Sequence, residues 1–260
     1  MTHSSDSVTR SQSGDADLAA VGALLADQAR ARILLALADG RALPASVLAA
    51  EAGVAASTAS SHLSKLLDGG LIVVLPQGRH RYYRLAGEQV GELVETLARL
   101  APARPIRSLR EGSRAQAMRA GRTCYDHLAG RLGVSVFGAL IERGWVTGGD
   151  GRHHIETARE DRLSAPGHDL AYTLTLRGCD GLGELGVELP ALATADEQGL
   201  PLRYCVDWTE QRHHVSGAVG RAIATRLLDL DWVRRLPRGR AVKLTDAGRA
   251  GLRERLGLAL

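Results

Sequence analysis

AGVAASTASSHLSKLLDGGLIVVLPQGRHRYYRL, residues 52–85, is the stretch that decides the fold of this chain. Apolar side chains recur in it at helical spacing from Ala59 to Leu67, and the glycine pair that follows is typical of a helix C-terminus. LIVVL and HRYYRL then flank the turn PQGR and predict a β-hairpin. Because a short apolar helix precedes this stretch at residues 43–52, the order predicts a helix-turn-helix followed by a wing.

Amphipathic segments on both sides complete the predicted module. After the hairpin, a helix over residues 87–100 has an apolar stripe at positions i, i+3, i+4 and i+7. The stripe consists of Val90, Leu93, Val94 and Leu97. Few polar neighbours cover it, so we expect it to pack against a second subunit. We predict a DNA-binding and dimerisation domain over residues 15–100, preceded by a polar, disordered tail at residues 1–14.

The second helix of such a unit enters the major groove of DNA and presents the side chains opposite its buried stripe. Here they are Ser57, Thr58, Ser61, His62 and Lys65. Hydroxyl groups can bond base edges or phosphates, whereas lysine usually holds phosphate. On the wing, Arg79 and Arg81 are placed to reach the DNA backbone or the minor groove. Two alternatives stay open, namely that Ser57 caps the helix and that His62 packs between helices.

Three ordered motifs carry a resemblance to a known family. They are A-G-V-x-x-S-x-x-S-x-H-L-x-x-L at residues 52–66, D-G-G-L-I at residues 68–72 and G-R-x-x-Y-Y-R-L at residues 78–85. In this order they resemble the ArsR/SmtB family of bacterial winged helix-turn-helix regulators. The resemblance implies a homodimer on a palindromic double-stranded DNA operator, usually a repressor that an inducer releases.

The resemblance does not imply a metal site in this module. Metal sensors of the family place cysteines in the helix before the recognition helix, or histidine and aspartate along the last helix. Residues 43–53 contain no cysteine, and the last helix offers Glu88, Glu92 and Glu95 without a histidine. We therefore expect the switch to lie outside residues 15–100.

Composition supports a globular chain without a membrane partner. The 260 residues are 45% hydrophobic, with a formal net charge of +4 and a pI near 9.2. No run of about 18 apolar residues occurs, and three cysteines do not suggest a disulfide framework. We expect a cytoplasmic protein. Residues 101–122 form an arginine-rich linker or helix that faces phosphate, unless arginine simply replaces lysine throughout the chain.

Residues 123–260 contain an internal repeat, which predicts a duplicated sensor domain. At an offset of 87, residues from His127 to Val146 recur from His214 to Val233. Each copy is expected to be a helix pair, a strand, a loop, a strand ending in Leu-Thr and a helix capped by Thr175 or Thr245. This order is similar to a winged helix. We therefore predict an α+β, mainly helical chain, with an N-terminal winged helix-turn-helix and a C-terminal domain of two winged-helix-like repeats.

A Cys-x-Asp element recurs in the two copies. We expect four side chains to meet across a pseudo-twofold axis, namely Cys124, His127, Cys205 and His214. They would bind a soft metal ion or metalloid, or the two cysteines would sense redox state. The alternative is that the cysteines are buried hydrophobes and the histidines are caps or core groups. The segment R-T-C-Y-D-H-L-A-G, with its second copy, is similar to longer ArsR-type regulators that carry an extra C-terminal domain.

Two further groups of residues are ambiguous. Trp145, Trp208 and Trp232 would line a pocket for an organic effector, or Trp145 and Trp232 would belong to the core. Three histidines lie in an insertion at residues 147–171 that is interpreted as a solvated loop.

An enzyme is the alternative from another functional class, because winged helices also occur fused to methyltransferase domains. The glycine-rich segment GCDGLGELG, residues 178–186, lacks the βαβ setting of a nucleotide-binding loop. No nucleophile elbow, zinc-protease motif or P-loop occurs in the sequence. We expect a regulator without catalytic activity.

Overall fold

A computed structural model describes residues 16–102, 108–161, 163, 166–189, 199–237 and 239–260. The predicted tail at residues 1–14 lies outside the described residues, as do residues 103–107 of the predicted linker. No helix in the described part of the chain is long and apolar enough to cross a membrane.

The N-terminal module is a winged helix-turn-helix, as predicted. Its elements are α1 (Leu18–Leu25), α2 (Gln28–Leu37), β1 (Leu43–Pro44), α3 (Ala45–Ala52), α4 (Ala56–Asp68), β2 (Ile72–Gln77), β3 (His80–Leu85) and α5 (Glu88–Leu100). Strands β2 and β3 form the antiparallel wing, and β1 pairs with the other edge of β3. Helix α4 buries Ala59, Leu63 and Leu66 in a core shared with α2 and α3. Gly53 ends α3 at a φ of 72°, a left-handed conformation that turns the chain sharply into α4.

Residues 122–256 form two copies of one element series. The first comprises β4 (Arg122–Cys124), β5 (His127–Ala129), α7 (Gly130–Glu142), β6 (Val146–Thr147), β7 (Tyr172–Leu174) and α8 (Leu176–Glu184). The second comprises β9 (Tyr204–Val206), β10 (His213–Val215), α9 (Gly217–Asp229), β11 (Val233–Arg235), β12 (Val242–Leu244) and α10 (Asp246–Leu256). A further strand, β8 (Leu200–Leu202), pairs with β7. Helices α7 and α9 are related by the predicted offset of 87 residues.

Each copy begins with a β-hairpin, so the prediction of a helix pair at this place is wrong. The hairpins are β4–β5 and β9–β10, and in their turns Tyr125 and Gln211 take positive φ values of 56° and 50°. Each strand has only three residues and is largely buried on both faces. The sequence therefore lacks the alternation of apolar and polar residues that predicts a strand.

The closing part of each copy follows the prediction. Thr175 and Thr245 cap α8 and α10, because each hydroxyl accepts a hydrogen bond from the backbone N–H three residues later, at 3.0 and 2.9 Å. In α8, a Cβ on Gly181 would lie 2.2 Å from the ring of Trp145, and Gly251 has the same relation to Trp232 at 2.1 Å. The glycines of residues 178–186 thus permit helix packing and do not form a nucleotide-binding turn.

The two copies share one hydrophobic core. Helix α7 packs on β10 of the second copy, and α9 packs on β5 of the first. Side chains from both copies, including Phe137, Leu140 and Leu227, belong to a single buried cluster. A connecting helix, α6 (Leu109–Ala120), packs on α7 and β12 and links this core to the N-terminal module.

Candidate functional site

Helix α4 presents four of the five predicted DNA-binding side chains to solvent. The exposed side chains are Ser57, Thr58, Ser61 and Lys65. The helix begins at Ala56, and its N-cap is Ala55, which provides no side-chain hydrogen bond. Because Ser57 lies within the first turn, the interpretation that it caps the helix is wrong.

His62 is turned toward the protein. Its side chain is 14% exposed, and Nδ1 lies 3.6 Å from a carboxylate oxygen of Asp27, the N-cap of α2. This position agrees with the alternative in which His62 packs between helices.

The wing presents the other predicted residues. Arg79 lies in the turn between β2 and β3, Arg81 lies on β3, and both are exposed.

The two hairpins of the C-terminal domain bring the predicted cysteine and histidine residues together. Their candidate ligand atoms all lie within 4.8 Å of one another. This group is termed the cysteine–histidine cluster and consists of Cys124, His127, Cys205 and His214. The sequence predicted all four members.

Strand register explains why the four side chains converge. Cys124 lies directly opposite His127 in the first hairpin, and Cys205 lies directly opposite His214 in the second. Directly opposed residues project from the same face of a hairpin, with Cβ atoms about 4.5–5.5 Å apart. Each hairpin therefore supplies one cysteine–histidine pair. The pairs face each other, and the two imidazole centroids lie 5.2 Å apart.

Two equivalent glycines permit this close approach. A Cβ on Gly133 of α7 would lie 2.4 Å from the carbonyl oxygen of Leu128. A Cβ on Gly220 of α9 would lie 2.5 Å from the carbonyl oxygen of Val215 and 3.0 Å from Cβ of His127. Both glycines belong to the internal repeat, but the sequence alone does not explain why glycine recurs at this position. The structure shows that each lets a helix pack directly on the hairpins.

The histidines of the cluster are buried and have unused nitrogen atoms. His127 is 5% exposed and His214 is 1% exposed. Among the described residues, Nε2 of His127 and both ring nitrogens of His214 have no hydrogen-bond partner. Leaving such an atom unsatisfied costs about 1–3 kcal/mol. The donor set and its unsatisfied nitrogens fit a bound cation.

The groups of the cluster perturb one another's protonation. A hydrogen bond with Cys205, together with burial, raises the pKa of Cys124 well above its usual range. Burial alone would lower the pKa of His127, but Cys124 and Asp126 outweigh burial and raise it to about 9. Burial and the nearby His127 lower the pKa of His214 well below its usual range. Burial and the hydrogen bond with Cys205 thus favour the neutral form of the Cys124 thiol.

The repeated aspartates lie behind the histidines. A carboxylate oxygen of Asp126 is 3.3 Å from Nδ1 of His127. Asp207 is 3.8 Å from Nδ1 of His214 and accepts a hydrogen bond of 2.8 Å from Arg122. A carboxylate hydrogen-bonded to an imidazole orients the ring, as Asp126 does for His127, whereas the distance of 3.8 Å between Asp207 and His214 is too long for a hydrogen bond. The sequence identified the aspartates as repeated but did not indicate this role.

The three tryptophans lie at three separate places in the C-terminal domain. Trp145 and Trp232 pack on the closing helices of their own copies, which agrees with the core interpretation. Trp208 is 42% exposed, and the guanidinium carbon of Arg122 lies 5.1 Å from its ring centroid. Within the described residues the three rings thus have separate neighbours and do not converge on the expected effector pocket.

The cluster lies at the boundary with the N-terminal module. A cleft there is lined by Glu92 and Glu95 of α5 on one side and by Cys124, His127 and Cys205 on the other. Beside this cleft, the N-terminal module and the C-terminal domain are in direct contact.

Tyr125, in the turn next to Cys124, packs on α5. A Cβ on Gly91 would lie 2.9 Å from its ring. The carbonyl oxygen of Tyr125 also lies 3.4 Å from the Cβ position of Gly40, after α2. Arg240 and Glu95 form a buried ion pair across the same boundary. The hairpin that carries half of the cluster therefore contacts the N-terminal module directly.

Known proteins resemble both the N-terminal module and the whole chain. A helix-turn-helix domain family matches residues 25–74. The chain is 35% identical over 244 residues to the uncharacterised HTH-type transcriptional regulator YdfF of Bacillus subtilis. The aligned region covers 94% of this chain and 99% of the relative. It is 44% identical over 84 residues to the HTH-type transcriptional regulator CmtR of Mycobacterium tuberculosis, over 31% of this chain and 70% of the relative.

A solved structure is similar to part of the chain. It is a homodimeric winged helix-turn-helix DNA-binding domain from Mycobacterium bovis, described as a possible ArsR-family transcriptional regulator. The sequence identity is 34%, the TM-score is 0.30, and the similarity covers 34% of this chain and 87% of that one.

Proposed function

Because this chain belongs to the HTH-type transcriptional regulators and its N-terminal motifs resemble the ArsR/SmtB family, we propose that it is a homodimeric repressor released from its operator by a thiophilic metal ion. The observation that carries the proposal is the convergence of the cysteine–histidine cluster. The protein acts by binding DNA and has no catalytic activity.

The donor set favours a soft or borderline divalent ion in tetrahedral coordination, such as Zn²⁺. With Zn–S bonds of about 2.3 Å and Zn–N bonds of about 2.0 Å, ligand atoms around zinc lie roughly 3.3–3.8 Å apart. The atoms of the cluster lie within 4.8 Å of one another, so coordination requires the most distant ligand atoms to approach by about 1–1.5 Å.

The histidines favour a metal ion over the other effectors that the cysteines suggest. A metalloid held by the two thiols, or a disulfide between Cys124 and Cys205, would leave the buried imidazole nitrogens unsatisfied. A metal ion with four ligands uses both thiolates and both rings. Asp126 would then support the ligating imidazole of His127 from behind.

Helix α5 is the proposed dimer surface. Leu97, the last residue of the predicted apolar stripe, is 38% exposed, and Leu100 beyond it is 71% exposed. Val94 of the stripe is instead buried in the core of the module itself. Pairing of two α5 helices would cover the two exposed leucines and place two α4 helices on one face of the dimer. Each α4 would then read one half-site of a palindrome, with the half-sites about 34–36 Å apart.

The contact between Tyr125 and α5 connects the metal site to DNA binding. A closer approach of the two hairpins would press Tyr125 of the β4–β5 turn against Gly91, which it already contacts. Because α5 also forms the proposed dimer surface, its displacement changes the separation of the two α4 helices. A pair of helices that no longer matches the half-site spacing loses operator affinity.

The test measures metal binding and DNA binding on the purified full-length chain. Elemental analysis and chelator competition should give one Zn²⁺ per chain. Fluorescence anisotropy, with a duplex selected from a random pool by the protein itself, should show at least a tenfold loss of affinity when Zn²⁺ is added. Cys124→Ser should bind the duplex like the wild type and ignore Zn²⁺.

Cys179→Ser is the matched control, because Cys179 lies in α8 outside the cluster. It should respond to Zn²⁺ like the wild type. An equal Zn²⁺ response of Cys124→Ser and the wild type would disprove the cluster as the switch. If a thiol oxidant releases the duplex and Zn²⁺ does not, the cysteines form a redox switch.

A further inference from the structure

The insertion at residues 148–171 exists only in the first copy, and it wraps around the second hairpin. On one edge of that hairpin, His213 donates its N–H to the carbonyl oxygen of Gly151 at 2.9 Å, and His153 donates to Gln211 at 3.2 Å. On the other edge, Gly167 donates its N–H to the carbonyl oxygen of Tyr204 at 2.8 Å. The insertion is thus attached to both strands that carry the second half of the cysteine–histidine cluster.

A cavity of about 320 Å³ lies between the insertion and this hairpin. Its lining includes Arg152, His153, His154, Arg159, Leu170 and His213. The space is an open cleft, and Arg152 and Arg159 in its lining are exposed, which agrees with the interpretation of this segment as a solvated loop.

His213 provides a buried hydrogen-bond donor to the cavity. The Tyr172 hydroxyl accepts from the N–H of Gly151 at 3.1 Å and lies 2.8 Å from Nδ1 of His213. We assign the tautomer in which the Tyr172 hydroxyl donates to Nδ1, so that the neutral ring carries its own proton on Nε2. His213 is 2% exposed, and among the described residues its Nε2 has no partner. The ring therefore offers an unused N–H on the side away from Tyr172.

The carboxylates of the cavity are already occupied by donors. Asp169 accepts hydrogen bonds from the backbone N–H groups of Arg159, Glu160 and Asp161 at 2.8, 3.0 and 3.1 Å. Asp161 accepts from the N–H of Asp169 and from the Tyr204 hydroxyl. Other polar groups of the lining are donors, among them the guanidinium groups of Arg152 and Arg159 and the imidazole N–H of His213. Such a set matches a group rich in acceptors.

We propose that this cavity binds a small organic anion through its carboxylate or phosphate group, held by Arg152, Arg159 and His213. The site is separate from the cysteine–histidine cluster and does not depend on metal binding. Neighbouring residues of a strand point to opposite faces, so β10 presents His213 to the cavity and His214 to the cluster. One strand is thus shared by both sites.

The test is isothermal titration calorimetry on the full-length protein with succinate and glycerol 3-phosphate. Their neutral counterparts, succinamide and glycerol, are the controls. We expect at least one of the two anions to bind and neither neutral compound to bind. The anion that binds tells whether the site selects carboxylate or phosphate. Absence of binding by both anions at millimolar concentration, or equal binding of the neutral compounds, overturns the proposal.

Variants locate the site. Arg152→Gln and Arg159→Gln should each weaken the anion at least tenfold, whereas Arg177→Gln, an exposed arginine on α8, should leave affinity unchanged. His213→Gln keeps a side-chain N–H and should bind more tightly than His213→Phe, with folding of both checked by circular dichroism. Cys124→Ser should bind the anion like the wild type, which separates this site from the metal proposal. Wild-type affinity in both arginine variants overturns the assignment.

Discussion

The N-terminal module and the two C-terminal copies share one order of helices and strands, but the first helix of that order is exposed in the module and buried in the copies. A helix, a strand pair and a second helix occur as α4–β2–β3–α5, as α7–β6–β7–α8 and as α9–β11–β12–α10. Helix α4 buries three of its 13 residues, whereas α7 buries eight of 13 and α9 buries six of 13. The helix that faces solvent in the first region is covered in the copies, so the copies cannot insert it into a DNA groove. The same architecture thus supports DNA reading in one region and a buried site in the other.

The largest effect is expected from removing the ion pair that joins the two regions. Arg240→Met leaves the carboxylate of Glu95 buried without its partner, so we expect the free energy of unfolding to fall by about 3–5 kcal/mol. Guanidinium denaturation followed by circular dichroism measures this change. The double variant Arg240→Met/Glu95→Leu should regain most of the loss. If single and double variants are equally stable, the ion pair does not hold the regions together.

The buried packing of the copies is tested at α7. Gly133→Ala places a methyl group against the carbonyl oxygen of Leu128, and we expect a loss of about 1–3 kcal/mol in unfolding free energy. Gly183→Ala is the matched control, because a Cβ there meets nothing within 4 Å and alanine favours a helix. Thermal and denaturant unfolding should therefore rank Gly133→Ala below the wild type and Gly183→Ala at or above it. The reverse order would contradict the close packing of α7 on the hairpins.

The exposed region is tested at the wing. Arg79→Ala removes one phosphate contact, so we expect weaker binding to all DNA sequences alike and a salt-dependence slope reduced by about one. Anisotropy titrations at several salt concentrations measure both. Arg177→Ala, far from the wing in sequence and exposed, should bind DNA like the wild type. Unchanged binding of Arg79→Ala at every salt concentration would remove the wing from the DNA interface.

The smallest effect concerns helix capping. Ser57→Ala should change unfolding free energy by less than about 0.5 kcal/mol, because Ser57 is not the cap of α4. Thr245→Ala should cost about 1 kcal/mol, since its hydroxyl accepts from the N–H of Gly248. Precise denaturation curves compare the two. Ser57→Ala should nevertheless weaken DNA binding, and an unchanged affinity would argue against contact of this hydroxyl with DNA.

Elements marked by a regular spacing of apolar residues, or by a strict internal repeat, could be predicted from the sequence. The stripe from Ala59 to Leu66 predicted α4, and the offset of 87 predicted the two copies. The repeat also predicted the cluster, because a duplicated pair of side chains meets wherever the copies face each other. The structure supplied the register that makes the pairing possible.

Features that depend on contact between distant segments could not be predicted. The hairpins have three-residue strands with polar side chains such as Arg122 and His127 at buried positions, so no periodicity marks them. The ion pair of Arg240 with Glu95 joins residues with no local relation. The tryptophans were expected together because they are few, yet each is placed by its own neighbours. That a residue type is rare in a sequence does not indicate that its members lie close together in the fold.

Fusion of the two copies in one chain has a consequence for how the site can change over evolution. In a symmetric pair of separate subunits, every insertion appears twice and both halves of a shared site change together. Here the first copy carries residues 148–171, while the second has only a short turn at the equivalent place. A covalent tandem removes the symmetry constraint, so one half can acquire a loop while the other keeps its original shape. Each chain thereby holds both halves of its own site, and filling that site does not depend on protein concentration.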